Sequence, residues 1–145
     1  MSELRTRLLI GWVVAMNRLE LEPLHVGSLT GEVCDSEDSV SVVLRGDADA
    51  RETGAALNEF LVRKVHPAIL RAGFKRIQLD VTGVEFLNSS GIKALTEWLL
   101  AIKRQQPQDR YFIVLRYDEG VAWQNKGLKP LSYVAPSFLR LEPLR

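Results

Sequence analysis

Two periodicities alternate along the chain from Leu29 onward, one of two residues and one of between three and four. Leu29 to Cys34 and Val40 to Leu44 read as a β-hairpin. In the second segment Val40, Val42 and Leu44 alternate with Ser41, Val43 and Arg45, and the polar stretch Asp35 to Ser39 supplies the turn. Gly46-Asp47-Ala48-Asp49 ends the strand. Leu57, Phe60, Leu61, Val65, Ala68 and Ile69 then recur at helical spacing. Pro67 lies inside that stripe, where it lacks a donor and crowds the carbonyl four residues back, so a kink or break is predicted near His66. Gly73 closes the helix. Ile77, Leu79 and Val81 alternate in a short strand closing at Asp80-Val81-Thr82-Gly83. After Phe86-Leu87 comes a second helix with Ile92, Leu95, Leu99 and Ile102 inside and Lys93, Glu97, Lys103 and Arg104 outside. Pro107 stops it. Tyr111 to Leu115, nearly unbroken apolar and β-branched, predicts a strand covered on both faces. A weaker helix over Val121 to Leu131 and a strand over Phe138 to Leu141 follow.

The order hairpin, helix, strand, helix, strand, helix, strand predicts an α/β fold. Crossover helices make parallel pairs, the hairpin adds an antiparallel part, and helices pack on the resulting mixed sheet. Residues 1–22 precede the pattern as an extension, and residues 23–145 form one domain, a comfortable size for a single core. The formal charge of +1 and the scattering of Lys75-Arg76, Lys103-Arg104, Lys126 and Lys129 among acidic residues argue against a nucleic-acid partner. Cys34, the sole cysteine, forms no intramolecular disulfide, which fits a reducing, cytoplasmic setting. Its place beside a strand end favours a small buried hydrophobe over a reactive thiol. The apolar run Leu8 to Met16 is shorter than the roughly 20 residues a membrane helix needs. Arg5 and Arg7 precede it as they would a signal-peptide core, but Met16-Asn17-Arg18 offers no small-residue cleavage site. It reads as a strand or helix packed on the domain, without direct membrane insertion. Trp12 and Trp123 follow no usable pattern.

Catalytic constellations are mostly missing. His25 and His66 have no carboxylate or cysteine at metal-ligand spacing. Neither a Gly-x-Ser-x-Gly elbow nor a phosphate-binding glycine loop is present. No catalytic residue, metal or cofactor is therefore expected. A small enzyme using Ser89 as nucleophile stays open as an alternative, although neither histidine is an evident base for it. One segment stands apart, Val81-Thr82-Gly83-Val84-Glu85-Phe86-Leu87-Asn88-Ser89-Ser90-Gly91-Ile92, where small polar residues lead straight into an amphipathic helix. Helix capping accounts for Asn88 and its serines. It does not account for Gly91, since glycine in a first turn disfavours a helix by up to about 1 kcal/mol relative to alanine. Glycine suits a place where another chain or a ligand approaches the backbone closely. Trp98, off the main apolar stripe, reads either as a partner contact or as a core-edge residue.

That segment resembles the signature of STAS domains, and in particular of anti-sigma-factor antagonists: a strand, a turn with an aromatic, then Asp-Ser-Ser/Thr-Gly-Leu opening a helix. Gly46-Asp47-Ala48-Asp49 resembles the family's Gly-Glu/Asp-x-Asp after its second strand. Val121 to Leu141 resembles its penultimate helix and last strand. The likeness covers about Leu29 to Leu141. It implies a non-catalytic bacterial interaction module, a phosphoprotein of signal transduction and transcription regulation. Its partner would be an anti-sigma factor or serine kinase of the histidine-kinase-like ATPase type, with a PP2C-type phosphatase resetting the cycle. The phosphorylated residue would be Ser89, and the partner surface Asp49, Asn88, Ser89, Ser90 and Gly91. Asp49 has a second reading, as an N-cap completed by Glu52. Asn88 departs from the family's aspartate, keeping the capping oxygen while losing the charge. The resemblance equally accommodates a STAS subunit of a membrane lipid-transport complex, docking on its ATPase through the same helix.

Overall fold

The computed structural model describes residues 19–144, so Leu8 to Met16, Trp12, Arg5 and Arg7 lie outside the described residues. Strand β1 (Leu24–Val26) pairs antiparallel with β2 (Leu29–Asp35), which pairs antiparallel with β3 (Val40–Ala48). The hairpin expected from alternation is therefore present, with a short strand added before it. Three parallel neighbours follow: β4 (Arg76–Leu87), β5 (Phe112–Tyr117) and β6 (Leu139–Pro143). The order in the sheet is the order in the chain. Right-handed crossovers that always step the same way pass over the same face of a sheet, so the helices form one layer. Burial agrees: Leu29, Val33, Val40, Val42, Leu44, Ile77, Leu79, Ile113 and Leu115 point into the core beneath them.

The first crossover is α1 (Thr53–Phe60), a π-helical turn over Leu61–Val65, and α2 (His66–Ala72), continuous with one another. The chain stays helical through Pro67, and the irregularity expected near His66 takes the form of a π-helical turn rather than a break. Just before Pro67 the amide of His66 bonds the carbonyl of Leu61, five residues back. This wider turn gives the proline ring room where an α-helical carbonyl would crowd it. Gly73, at φ +80°, ends α2 in the left-handed conformation as expected. Helix α3 (Ser89–Lys103) is the second crossover, and α4 (Ala122–Gly127) with α5 (Lys129–Val134) the third. The single weak helix expected there is two, divided at Leu128, with Pro130 in the first turn of α5.

Four further expectations are corrected. Among the described residues strand β5 is covered on one face only, since Phe112 is 37% exposed and Val114 and Arg116 are half-buried. Cys34 is exposed, on the outward side of β2. Strand β4 does not close at Gly83 but runs to Leu87 alongside β3, beyond the point where its pairing with β5 stops at Asp80. Trp98 is neither an edge nor a surface residue, being 1% exposed. Helix α3 sits in the middle of its layer, so its buried face is wider than the Leu95, Leu99 and Ile102 stripe and takes in Ala94, Trp98 and Ala101.

Beneath that face the Tyr111 hydroxyl accepts the Trp98 indole N–H at 2.8 Å and lies 2.7 Å from His66 Nδ1. The Tyr111 hydroxyl and His66 Nδ1 share a hydrogen bond whose direction follows the His66 tautomer. Burial pushes the Tyr111 phenol up, against a smaller opposing effect of the Trp98 hydrogen bond, and burial holds the His66 imidazole below its ordinary range.

Candidate functional site

The motif sits where β4 passes into α3, and backbone pairing carries the end of β3 to the same place. Ala48 pairs with Leu87, and the next amide, that of Asn88, donates to the Ala48 carbonyl at 3.0 Å. The approach depends on a register shift opposite Gly46 and Asp47, where β4 carries one extra residue between Val84 and Phe86. Gly46 adopts φ +100°, and a β-carbon there would collide with the Ser28 carbonyl. Ser28 then fastens this part of β3, its Oγ lying 3.2 Å from the Asp47 carbonyl and 3.3 Å from the Asp47 amide.

Asn88 is the N-cap of α3, in extended conformation at φ −73° and ψ 171°. Its Oδ1 accepts the Gly91 amide at 2.9 Å and the Ser90 hydroxyl at 2.9 Å. Its Nδ2 donates to the Ala50 carbonyl at 3.2 Å, which also accepts the Thr53 amide at 3.0 Å. One side chain therefore caps α3 and ties the start of the first crossover to the motif. Aspartate would keep the cap but could not donate to Ala50. The amide at position 88 therefore has a structural use that a carboxylate would not supply.

Asp49 lies between the two backbone acceptors of Asn88, which holds it beside the motif. It is exposed and caps nothing: the N-cap of α1 is Glu52, whose side chain makes no cap hydrogen bond. The capping-box reading of Asp49 and Glu52 is thereby corrected. Ser90 and Ser89 are both exposed, but only Ser90 is engaged. Ser89, the first residue of α3, makes no hydrogen bond among the described residues. Gly91 is buried, and a β-carbon on it would collide with Leu87 Cδ1. Packing against Leu87 within the chain gives the glycine a structural reason of its own.

Sequence reasoning missed three contributors. At Gly54 a β-carbon would come within 2.6 Å of Ser90 Cβ, so this glycine lets α1 lie directly against the motif. Its signal was a glycine inside a first helical turn. Beyond it a hollow of about 370 Å³ runs between α1 and α3, lined by Ala55, Asn58, Ser90, Lys93 and Glu97. Gln124, fully buried, donates through Nε2 to the carbonyls of Val81 and Val84, each at 2.8 Å, and accepts the Asp118 amide at 2.7 Å. It serves the backbone of β4 where pairing with β5 has stopped, and Trp123 adds a 2.8 Å bond to Val84. Nothing in its composition marks a glutamine for burial. Phe86, two residues before Asn88, is 48% exposed, an aromatic left in solvent beside the serines.

His66 is committed to Tyr111 in the core. Among the described residues no three of His, Cys, Asp and Glu gather in one place, and no helix is long and apolar enough to cross a membrane.

No protein-family model matches the chain, and no curated protein matches it in sequence. Among solved structures it is similar to an anti-sigma factor antagonist from Mycobacterium paratuberculosis. The TM-score is 0.53 and the identity 21%, over 78% of this chain and 86% of the other. The fold is the STAS fold. The segment Asn88-Ser89-Ser90-Gly91 is held by contacts from β3, from β4 and from α1.

Proposed function

We propose that the chain is a non-catalytic regulatory module of the anti-sigma-factor-antagonist kind. It docks on an anti-sigma factor or histidine-kinase-like serine kinase through Asp49, Asn88, Ser89, Ser90 and Gly91, with the exposed Phe86 beside them, and phosphorylation of Ser89 switches it off. Residues 23–145 act as the unit. The observation that carries this reading is the contrast between the two serines: Ser90 is held by Asn88 while Ser89 stands exposed and unengaged at the first position of α3. The likeness in fold to an anti-sigma factor antagonist supports it.

The physics of the switch is local. A phosphate adds about −1.5 to −2 charges near neutral pH. At Ser89 it meets the positive end of the α3 dipole, so the modified loop stays folded. A partner surface packed against a neutral hydroxyl and the Phe86 ring would face bulk, charge and desolvation together. Asn88 removes the negative neighbour that the family's aspartate would give this phosphate.

The test is capture from the native cell with wild type and Ser89→Asp, with Ser89 phosphate read by mass spectrometry. The reading requires a kinase-type ATPase or anti-sigma factor held by wild type and released by Ser89→Asp. Equal capture of the same partner by both, with Ser89 unmodified, would show a constitutive adaptor.

A further inference from the structure

Helix α3 carries a cation one turn beyond the exposed serine. Lys93 follows Ser89 by four residues, and in an α-helix those positions are neighbours on one face. Helical side chains lean toward the N-terminus of their own helix, so the Lys93 stem is biased back over the turn that holds Ser89. Lys93 is exposed and makes no ion pair or hydrogen bond among the described residues. Glu97, four residues further on, does not take it up. A lysine N-terminal to its glutamate is the weaker order for such a pair.

The surroundings leave the ammonium room to move. The hollow of about 370 Å³ between α1 and α3 has both Lys93 and Ser90 in its wall, so open space lies beside the stem where a packed neighbour could have fixed it. The segments flanking the motif supply Asp49, Arg51, Glu52 and Glu85, all exposed and three of them acidic. A phosphate on Ser89 would be repelled by those three. Lys93 is the cation that shares its helix face.

We propose that Lys93 is the chain's own receptor for a phosphate on Ser89, in an i,i+4 ion pair that exists only in the modified protein. This rests on the reading of Ser89 as the regulated hydroxyl. The anion then stands N-terminal to the cation, the favourable order on a helix, and carries about −1.5 to −2 charges. The unmodified chain offers a partner a neutral hydroxyl and a free ammonium one turn apart. The modified chain offers neither, because the phosphate replaces the first and engages the second. One modification thereby withdraws two contacts.

The test places phosphoserine at position 89 of the full-length chain during translation and follows its second ionisation by phosphorus-31 nuclear magnetic resonance. Lys93→Gln should raise the midpoint by about 0.2–0.4 pH units, the loss of one i,i+4 ion pair. Lys93→Arg should restore the wild-type curve, and about 1 M salt should erase the difference. Arg51→Gln should leave the curve unchanged. Coinciding curves for wild type and Lys93→Gln, in chains whose amide spectra show α3 intact, would overturn the proposal. So would a shift that follows Arg51→Gln instead. Because the phosphate is installed, the titration does not depend on a kinase. Lys93 can lose this role while the switch stands, and cellular capture can refute the switch while the ion pair stands.

Discussion

Two clusters of three polar side chains hold this molecule, one in its core and one at its surface, and they are built for opposite ends. In the core, Tyr111, Trp98 and His66 satisfy one another at 2.7 and 2.8 Å in a region closed to water. At the surface, Asn88 engages Ser90, Gly91 and Ala50 and leaves Ser89 free. A buried polar group without its partner loses its full solvation, so the first cluster fixes how α2, α3 and β5 pack. An exposed group can turn to water, so the second fixes the shape of a loop at small energetic stake. Stability therefore resides in the Tyr111 cluster and the proposed regulation in the Asn88 cluster, though both belong to α3.

Substitutions should separate the two. The largest effect is expected from Trp98→Ala, about 3–5 kcal/mol of destabilisation by denaturant unfolding, since it empties a fully buried site and orphans Tyr111. Tyr111→Phe should cost about 1–3 kcal/mol, because shape is retained while the Trp98 N–H and the His66 Nδ1 lose their common partner. Acid acts on the same cluster. Burial lowers the His66 pKa below its ordinary 6.5, so below that pH the unfolded chain binds a proton that the folded one resists. Stability should fall as pH drops from 6.5 toward the folded value, and His66→Gln should flatten that slope in thermal melts. At the other cluster Asn88→Ala should remove about 1 kcal/mol through the lost cap, while Asn88→Asp should recover the cap and not the link to Ala50. Ser89→Ala should change stability by less than about 0.5 kcal/mol, as a surface substitution with nothing to break. A large loss from Ser89→Ala would erase the distinction between the clusters.

Local patterning revealed much of this architecture. The alternation of Val40, Val42 and Leu44 and the helical stripe of Ile92, Leu95, Leu99 and Ile102 report burial on one face, and each lies where its period places it except Ile92, which is half-buried at the start of α3. What escaped depends on contacts distant in sequence. Trp98 looked peripheral because a helical stripe does not say how many neighbours flank a helix. The accommodation of Pro67 by a π-helical turn needs backbone geometry that no periodicity encodes. The length of β4 depends on β3 and on Gln124, 40 and 43 residues from the carbonyls it binds. At the site, Asn88 as a cap was legible, because capping is local. Its bond to Ala50 was not, and neither was the packing reason for Gly91, which lies in the rotamer of Leu87.

The central claim is that Ser89, and not Ser90, is the regulated hydroxyl. Its most direct test is residue-resolved mass spectrometry of the chain isolated from its native cell under growth and under stress. The account predicts phosphate on Ser89 whose occupancy differs between the two conditions, and none on Ser90, whose hydroxyl is held by Asn88. Phosphate confined to Ser90, or an unmodified motif in both conditions, would contradict it.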